Sequence, residues 1–205
     1  MAMLSTLSDD ELLRLVRAGD EEAFLVLYRR RQSGIYRFAL RMSGSESVAE
    51  DVTQEVFLTL IQGDGNYDAA RGSFSSYLFG VARNQVFKRF EKERALAPIV
   101  ENDEEQETST LDGLIAFADP LADLTRRETI ESVRQAVLAL PPHYREVVVL
   151  CDLHEMSYAD TAAALGCAVG TVRSRLHRGR ALLVERLRGL EVVETRQAGL
   201  SNCYV

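Results

Sequence analysis

Ten residues in the last fifth of the chain, 171–180, concentrate groups that could bind a nucleic acid. Arg173, Arg175, Arg178 and Arg180 lie there with no acidic residue among them. Guanidinium groups bind phosphates and can donate two hydrogen bonds to guanine, and a hydroxyl such as that of Ser174 can bond several bases. The segment is therefore predicted to contact DNA, although the formal net charge of the whole chain is -7.

The sequence around this segment predicts two helices joined by a tight turn. Ser157 and Asp160 have the spacing of a capping box that opens the first helix, and Gly166 can take the left-handed conformation that ends it. The second helix is predicted to begin near Val169. Small alanines in the first helix would let the two helices cross closely.

The second helix is predicted to have an apolar face and a polar face, since successive side chains are separated by about 100°. The apolar face consists of Val169, Val172, Leu176, Leu183 and Leu187. The polar face carries Arg173, Ser174, His177 and Arg178, flanked by Thr171, Arg175 and Arg180 as candidate phosphate contacts. Any one arginine could simply solvate a surface helix, but the whole arrangement favours a helix-turn-helix that enters the major groove.

The rest of the chain is also predicted to be helical, which makes the fold class all-α. The chain has 205 residues, of which 46% are hydrophobic and only four are proline, and this length permits two small domains. In the first half, helices are predicted after Ser8 and Asp20, from about Glu46 to Gln62, and from near Ser73. Residues 63–68 are dense in turn formers and are predicted to form a loop.

An acidic linker is predicted to separate two helical domains. Residues 95–140 carry three basic and ten acidic side chains, and the acids are most crowded at 101–107. A second helical region is expected from near Leu124, with Ile130, Val133 and Val137 at helical spacing. Pro141 and Pro142 can then open the next helix.

Three cysteines, Cys151, Cys167 and Cys203, leave an enzymatic alternative open. A small metal or thiol enzyme could use Cys151, His154 and Cys167, although structural zinc sites usually show paired ligands at short spacing. The odd, widely spaced cysteines and the absence of a signal-peptide pattern instead favour a reducing cytoplasm. No stretch approaches the roughly 20 apolar residues that a membrane-spanning helix needs, so no membrane insertion is expected.

These segments resemble the extracytoplasmic-function (ECF) sigma factors of bacterial RNA polymerase over most of residues 8–190. Residues 140–150 (LPPHYREVVVL), 156–160 (MSYAD) and 169–180 (VGTVRSRLHRGR) are similar to the domain of that family that reads the promoter's -35 element. The resemblance implies that Thr171, Arg173, Ser174, Arg175, His177, Arg178 and Arg180 contact this element.

Two segments in the first half extend the resemblance. Residues 49–57 (AEDVTQEVF) are similar to the family's helix that docks on the clamp helices of the polymerase β′ subunit, which implies that Asp51, Gln54, Glu55 and Leu58 bind core polymerase. Residues 74–84 (FSSYLFGVARN) are similar to the segment that recognises and opens the -10 element. That likeness implies -10 contacts by Tyr67, Phe74, Tyr77, Arg83, Asn84, Lys88, Arg89 and Lys92.

The resemblance implies the following organisation. Residues 1–94 would form sigma region 2, 95–123 the acidic linker, 124–190 sigma region 4, and 191–205 a tail. Core polymerase (β′ clamp helices and β flap), promoter DNA and an anti-sigma factor would be the partners. No cofactor, metal, small-molecule substrate or catalytic activity is expected. The alternative is a one-component helix-turn-helix regulator that does not bind core polymerase.

Overall fold

A computed structural model describes residues 4–63, 67–96 and 120–201, with side chains described at 4–63, 67–92 and 129–188. Its first half contains a 3-10 turn (Leu4–Thr6), α1 (Asp9–Arg17), α2 (Glu21–Ser43), α3 (Glu46–Gln62) and α4 (Phe74–Leu96). Its second half contains α5 (Pro120–Leu138), α6 (Pro142–Val148), a π-helical turn (Val149–Leu153), α7 (Tyr158–Leu165) and α8 (Val169–Ser201). Within these ranges every regular element is helical, so the predicted all-α fold is confirmed.

The helix ends in the first half follow local sequence signals. Ser8 Oγ accepts from the backbone N–H of Glu11 at 3.3 Å, and the Glu11 carboxylate accepts from the backbone N–H of Ser8 at 2.8 Å. This is the predicted capping box of α1. Asp20 caps α2 by accepting from the N–H of Ala23, and Gly44, at a φ of 76°, ends α2 in the left-handed conformation.

The main hydrophobic core lies among the helices of the first half. Apolar residues at helical spacing on α2, α3 and α4 face one another because each helix has one apolar side. The largest buried members are Leu12, Leu27, Ile35, Phe38, Met42, Val52, Val56, Leu78 and Val86. This core holds α3 and α4 in fixed positions, and those two helices carry the residues predicted to contact polymerase and the -10 element.

The second half has a small core under the helix-turn-helix. Leu140, Val147, Val148, Val172 and Leu176 pack together there. Pro142 is the first residue of α6 as predicted, because its missing N–H needs no partner in a first turn. The predicted turn between α7 and α8 is also confirmed, with Gly166 at a φ of 62°.

Three predictions about the second half need correction or further detail. Helix α5 begins at Pro120, four residues before the predicted start near Leu124. Ile130 on α5 is 53% exposed, whereas Val137 is buried. Helix α8 continues through Ser201, so much of the predicted tail continues the recognition helix. Most of the predicted acidic linker, residues 97–119, lies outside the described residues.

The two halves pack against each other. Val137, Val149 and Leu150 from the second half belong to the core of the first half. Arg145 donates hydrogen bonds to the backbone carbonyl of Met42 in α2 and to that of Leu138 in α5. The sequence indicated two helical modules but gave no sign of how they would be arranged.

Candidate nucleic-acid interface

The polar face of α8 has the geometry that the sequence predicted. Val172 and Leu176 are buried on one side of the helix. Arg173, Ser174, His177 and Arg178 are exposed on the other side. An exposed row of guanidinium, imidazole and hydroxyl groups on the second helix of a helix-turn-helix can reach base edges in a major groove.

Close packing beneath α8 fixes the position of this face. A Cβ placed on Gly179 would lie 2.9 Å from Val148 Cγ2 and 3.4 Å from the Tyr144 backbone oxygen, so α8 lies directly against α6. The Arg173 guanidinium carbon lies 5.9 Å from the centroid of the Tyr158 ring on α7. Such a cation–π contact restrains a guanidinium without neutralising it.

Two of the predicted phosphate contacts on α8 are paired with acidic residues. Arg180 donates to both carboxylate oxygens of Asp152, at 3.0 and 2.5 Å, and its pKa is raised by this hydrogen bonding. Arg175 donates to Glu146 at 3.1 Å. Of the four arginines, only Arg173 and Arg178 therefore lack an acidic partner among the described residues.

Helix α4 also divides its predicted contacts between exposed and paired residues. Asn84, Lys88 and Lys92 are exposed and lie at i, i+4 and i+8, which places them along one side of the helix. Arg83 stacks over Phe87, with 4.8 Å from its guanidinium carbon to the ring centroid, and donates to Glu146 at 2.6 Å. Arg89 pairs with Asp51 at 2.5 Å.

The three predicted aromatic contacts form one cluster before and within the first turn of α4. The centroid of the Tyr67 ring lies 5.4 Å from that of Phe74 and 5.4 Å from that of Tyr77. Phe74 is only 4% exposed and belongs to the main core, so its predicted base contact requires a different ring position from the one seen here.

Tyr67 and Tyr77 border a cavity of about 300 Å³ that opens between the two halves of the chain. Arg71, Ser73, Ser76 and Ala163 also line it. The Tyr77 hydroxyl is buried without a hydrogen-bond partner, and burial raises its pKa. Tyr67 instead donates to Asp10 at 2.6 Å, and burial, followed by this hydrogen bond, raises the pKa of Tyr67 to about 12.

The predicted polymerase-binding stripe lies on the outer face of α3. Gln54, Glu55 and Leu58 are exposed, and Leu58 is 45% exposed despite being apolar. Asp51, the fourth residue of the stripe, differs from these three because it already forms an ion pair with Arg89 of α4. A single exposed leucine is common on protein surfaces, so the assignment of this stripe to polymerase rests on the resemblance.

The residues considered for an enzyme lie in separate, satisfied environments. Cys151 forms a hydrogen bond with the Thr161 hydroxyl at 3.4 Å, and burial raises the pKa of its thiol. The His154 ring packs against Phe79, with 4.9 Å between centroids. Cys167 is partly buried. Among the described residues, no three His, Cys, Asp or Glu side chains lie together in a group that could hold a metal ion.

Sequence reasoning did not predict the contacts that Glu146 and Asp160 make between the two halves of the chain. Glu146 is 1% exposed and contacts two arginines from different halves of the chain. Its position before a run of buried valines was the available signal, because a buried carboxylate needs partners. Ser157 caps α7 by accepting from the backbone N–H of Asp160 at 3.0 Å, and the Asp160 carboxylate accepts from Ser73 and Ser76 on the other half. Across the described residues, no helix has both the length and the apolar character needed to cross a membrane.

Together, the fold and this site define an all-helical protein with two modules, each of which has an exposed basic or polar face. Two family models match, sigma-70 region 2 at residues 27–95 and sigma-70 region 4 at residues 130–183. The matched residues cover both modules. The alternative of an ordinary helix-turn-helix regulator would not account for the match in the first module.

Similar proteins extend the match to nearly the whole chain. The ECF RNA polymerase sigma factor SigW of Bacillus subtilis is 30% identical over 185 residues, which cover 87% of this chain and 96% of SigW. SigM of Mycobacterium tuberculosis, also an ECF sigma factor, is 36% identical over 182 residues, covering 88% of this chain and 85% of SigM. This chain belongs to the ECF family of RNA polymerase sigma factors.

Two solved structures have a similar fold. The structure of CnrH in complex with the cytosolic domain of CnrY matches with a TM-score of 0.62 at 24% identity, covering 88% of this chain and 97% of the other. The sigma factor RpoE of Bartonella quintana, in complex with the anti-sigma factor NepR, matches with a TM-score of 0.57 at 21% identity, covering 78% and 94%. These two likenesses concern the fold alone.

Proposed function

We propose that the first half of this sigma factor binds core RNA polymerase and the -10 element, and that the second half reads the -35 duplex. Residues 1–94 act as region 2, residues 95–123 as a linker, and residues 124–190 as region 4. The chain contributes binding and positioning to initiation, while the polymerase supplies the chemistry. This work takes place in the cytoplasm, where polymerase meets promoter DNA.

The observation that carries the -35 assignment is the exposed row on α8. Among the described residues Arg173 and Arg178 form no ion pair, and Val172 and Leu176 hold the opposite side of the helix in the core. We assign base contacts to Arg173, Ser174, His177 and Arg178. Thr171, Arg175 and Arg180 are assigned to phosphates, with Arg175 and Arg180 exchanging a carboxylate for a phosphate when DNA binds.

The -10 assignment is supported by the exposed side of α4. Asn84 offers an amide to base edges, and Lys88 and Lys92 follow the backbone of the opened strand. Arg83 and Arg89 must first leave Glu146 and Asp51. Tyr67, Phe74 and Tyr77 are assigned to the unstacked bases, since aromatic rings bind base faces.

The assignment of core polymerase to α3 is supported by Gln54, Glu55 and Leu58, which are exposed together on its outer face. Asp51 joins them when its pair with Arg89 opens. The β flap is proposed to contact region 4. An anti-sigma factor is proposed as a further partner because the chain belongs to this family and a sigma factor of similar fold, RpoE, was solved with one.

Transcription in vitro from a promoter library randomised at the -35 element tests the assignment of α8 to that element. With core polymerase, Arg173→Ala and Arg178→Ala should each cost about 1 to 3 kcal/mol of binding and relax base preference at one position. Arg186→Ala is the matched control because Arg186 is exposed on α8 but lies off the polar row. Base preferences in both variants identical to those of the native chain would refute the assignment.

A further inference from the structure

The first helix contacts the aromatic cluster that is proposed above to bind the opened -10 strand. Asp10 of α1 accepts a hydrogen bond from the hydroxyl of Tyr67, 57 residues further along the chain, at 2.6 Å. Resting on the proposed role of Tyr67, we infer that Asp10 is a positioning residue, which holds the Tyr67 ring in the orientation needed to stack on an unstacked base. Asp10 precedes the residues matched to sigma-70 region 2, which begin at 27.

Of the three clustered rings, Tyr67 is the one best placed to meet a base. Phe74 is only 4% exposed in the main core, and the hydroxyl of Tyr77 is buried without a hydrogen-bond partner. Tyr67 is partly exposed, lines the cavity of about 300 Å³, and lies in the segment between α3 and α4. A partly exposed ring outside a helix has several orientations available, so its use for stacking depends on what restrains it.

The hydrogen bond to Asp10 restrains the far end of the Tyr67 ring. A distance of 2.6 Å between the two oxygens is typical of a hydroxyl that donates to an ionised carboxylate, and such bonds are roughly twice as strong as neutral ones. Burial, followed by this hydrogen bond, raises the pKa of Tyr67 to about 12, so the hydroxyl keeps its proton. The bond fixes where the ring lies, and the rings of Phe74 and Tyr77, each 5.4 Å away between centroids, fix the tilt of its plane.

Asp10 can restrain another side chain because the start of α1 is itself held firmly. Its neighbour Asp9 accepts from Arg30 Nη1 and from Arg31 Nε of α2, each at 2.6 Å. Two residues beyond Asp10, the side chain of Leu12 is fully buried in the main core. Among the contacts described for it, the Asp10 carboxylate has only the Tyr67 hydroxyl as a partner, so this acceptor is not shared with a cation.

A carboxylate beside a nucleic-acid site could instead act through its charge. Asp9 and Asp68 also lie close enough to raise the pKa of Tyr67, so three acids lie near this ring. Acids repel phosphates, and the loss of one would therefore increase affinity for an opened strand. Loss of the hydrogen bond would have the opposite effect. Asp10→Asn separates the two roles, since it removes the charge but keeps an oxygen that can accept from the hydroxyl.

Open-complex formation by the full chain with core polymerase, on a promoter that the native chain transcribes, tests the inference. Stacking on one aromatic side chain strengthens the binding of a base roughly fivefold to 150-fold. Asp10→Ala and Tyr67→Phe should each weaken open-complex formation about threefold to tenfold, because the ring remains but its orientation is no longer held. The double variant should lose no more than either single variant, since both changes break the same hydrogen bond. Asp10→Asn should stay close to the native chain.

Removal of single bases from the opened strand shows whether the defect belongs to the Tyr67 stack. At one position of the -10 element, an abasic site should abolish the difference between Asp10→Ala and the native chain, while at the other positions the difference should persist. Glu21→Ala, which removes another exposed acid from the first turn of a helix, is the matched control and should behave as the native chain does. A defect that persists at every abasic position would show a merely structural role and overturn the inference. Native behaviour of Asp10→Ala, or an equal defect in Asp10→Asn, would overturn it too.

Titration of the tyrosines in the free chain tests the contact without any promoter. In a chain with tyrosines isotopically labelled at Cζ, Tyr67 should still be protonated at about pH 11, and its signal is identified by its loss in Tyr67→Phe. Asp10→Ala should lower the pKa of Tyr67, because the hydrogen bond and the charge of Asp10 both raise it. An unchanged pKa would refute the contact and the inference. A native chain that never forms an open complex, or a Tyr67→Ala chain that forms it normally, would instead refute the proposed function, with the titration deciding separately whether Asp10 holds the ring.

Discussion

Lowering the pH from 7.5 to 5.5 should destabilise the chain through one residue, His154. Its ring lies where the halves meet, between Phe38 and Phe79, and its Nε2 is 3.3 Å from Arg41 Nη1. Arginine can only donate, so this Nε2 must accept and the native imidazole is neutral. Burial, followed by the positive charges of Arg41 and Arg37, lowers the pKa of His154 to about 4 from 6.5.

The sign and size of the effect follow from proton linkage. A histidine whose native pKa is depressed stabilises the native state above its unfolded pKa of about 6.5, and this stability is lost as the pH falls toward about 4. At pH 5.5 the unfolded histidine is mostly charged while the native one is mostly neutral. Linkage gives a loss of about 1.3 kcal/mol between pH 7.5 and 5.5, reduced to about 1 kcal/mol because the ring is partly exposed.

Urea unfolding at the two pH values measures this loss, with His154→Gln as the control. Glutamine can still accept from Arg41 but does not titrate. The carboxyl pKa values of Glu11 and Asp160 are lowered by hydrogen bonds from Ser8 and Ser157 respectively, so both groups stay ionised throughout this range. The native chain should lose about 1 kcal/mol more than His154→Gln. An equal loss in both chains would refute the reasoning.

Three other predictions concern the packing of α8, the proposed polymerase surface on α3 and the cap of α7. Gly179→Ala should lower the melting temperature by about 2 to 4 °C, because a clash of about 2 kcal/mol with the stiff Val148 outweighs the helix-propensity gain of about 1 kcal/mol. Gly170→Ala, where a Cβ meets nothing within 4 Å, should raise it. Leu58→Ser should weaken binding to core polymerase about tenfold in a pull-down titration, and Leu25→Ser, at a similarly exposed leucine, should not. Ser157→Ala should cost about 1 kcal/mol in urea unfolding because α7 loses its cap, whereas Ser47→Ala, beside the cap of α3, should cost less.

The sequence predicted those features that depend on neighbouring residues. Ser8, Asp20 and Gly166 set helix ends through contacts within a few positions, and each was identified correctly. The two faces of α8 followed from periodicity alone. The order of the helices could therefore be predicted from the sequence.

The sequence did not predict features that depend on long-range packing. Glu146 meets Arg83 across 63 positions and Asp160 meets Ser73 across 87, and no local pattern encodes such a pairing. Phe74 is buried in the core, so its assignment to the -10 element, which rests on the resemblance, stays a prediction. Acidic residues on α3, on α6 and in the π-helical turn decide which of the candidate arginines are paired.

The pairing of these charges explains how an acidic chain can contain DNA-reading faces. Among the described residues, Glu146 holds Arg83 and Arg175, Asp152 holds Arg180, and Asp51 holds Arg89. Each acid neutralises a cation that would otherwise attract any phosphate backbone. On the described part of α8, Arg173 and Arg178 remain exposed. Since a phosphate can take the place of a carboxylate beside a guanidinium, DNA bound at the proposed faces would replace these acidic partners of Arg83, Arg89, Arg175 and Arg180.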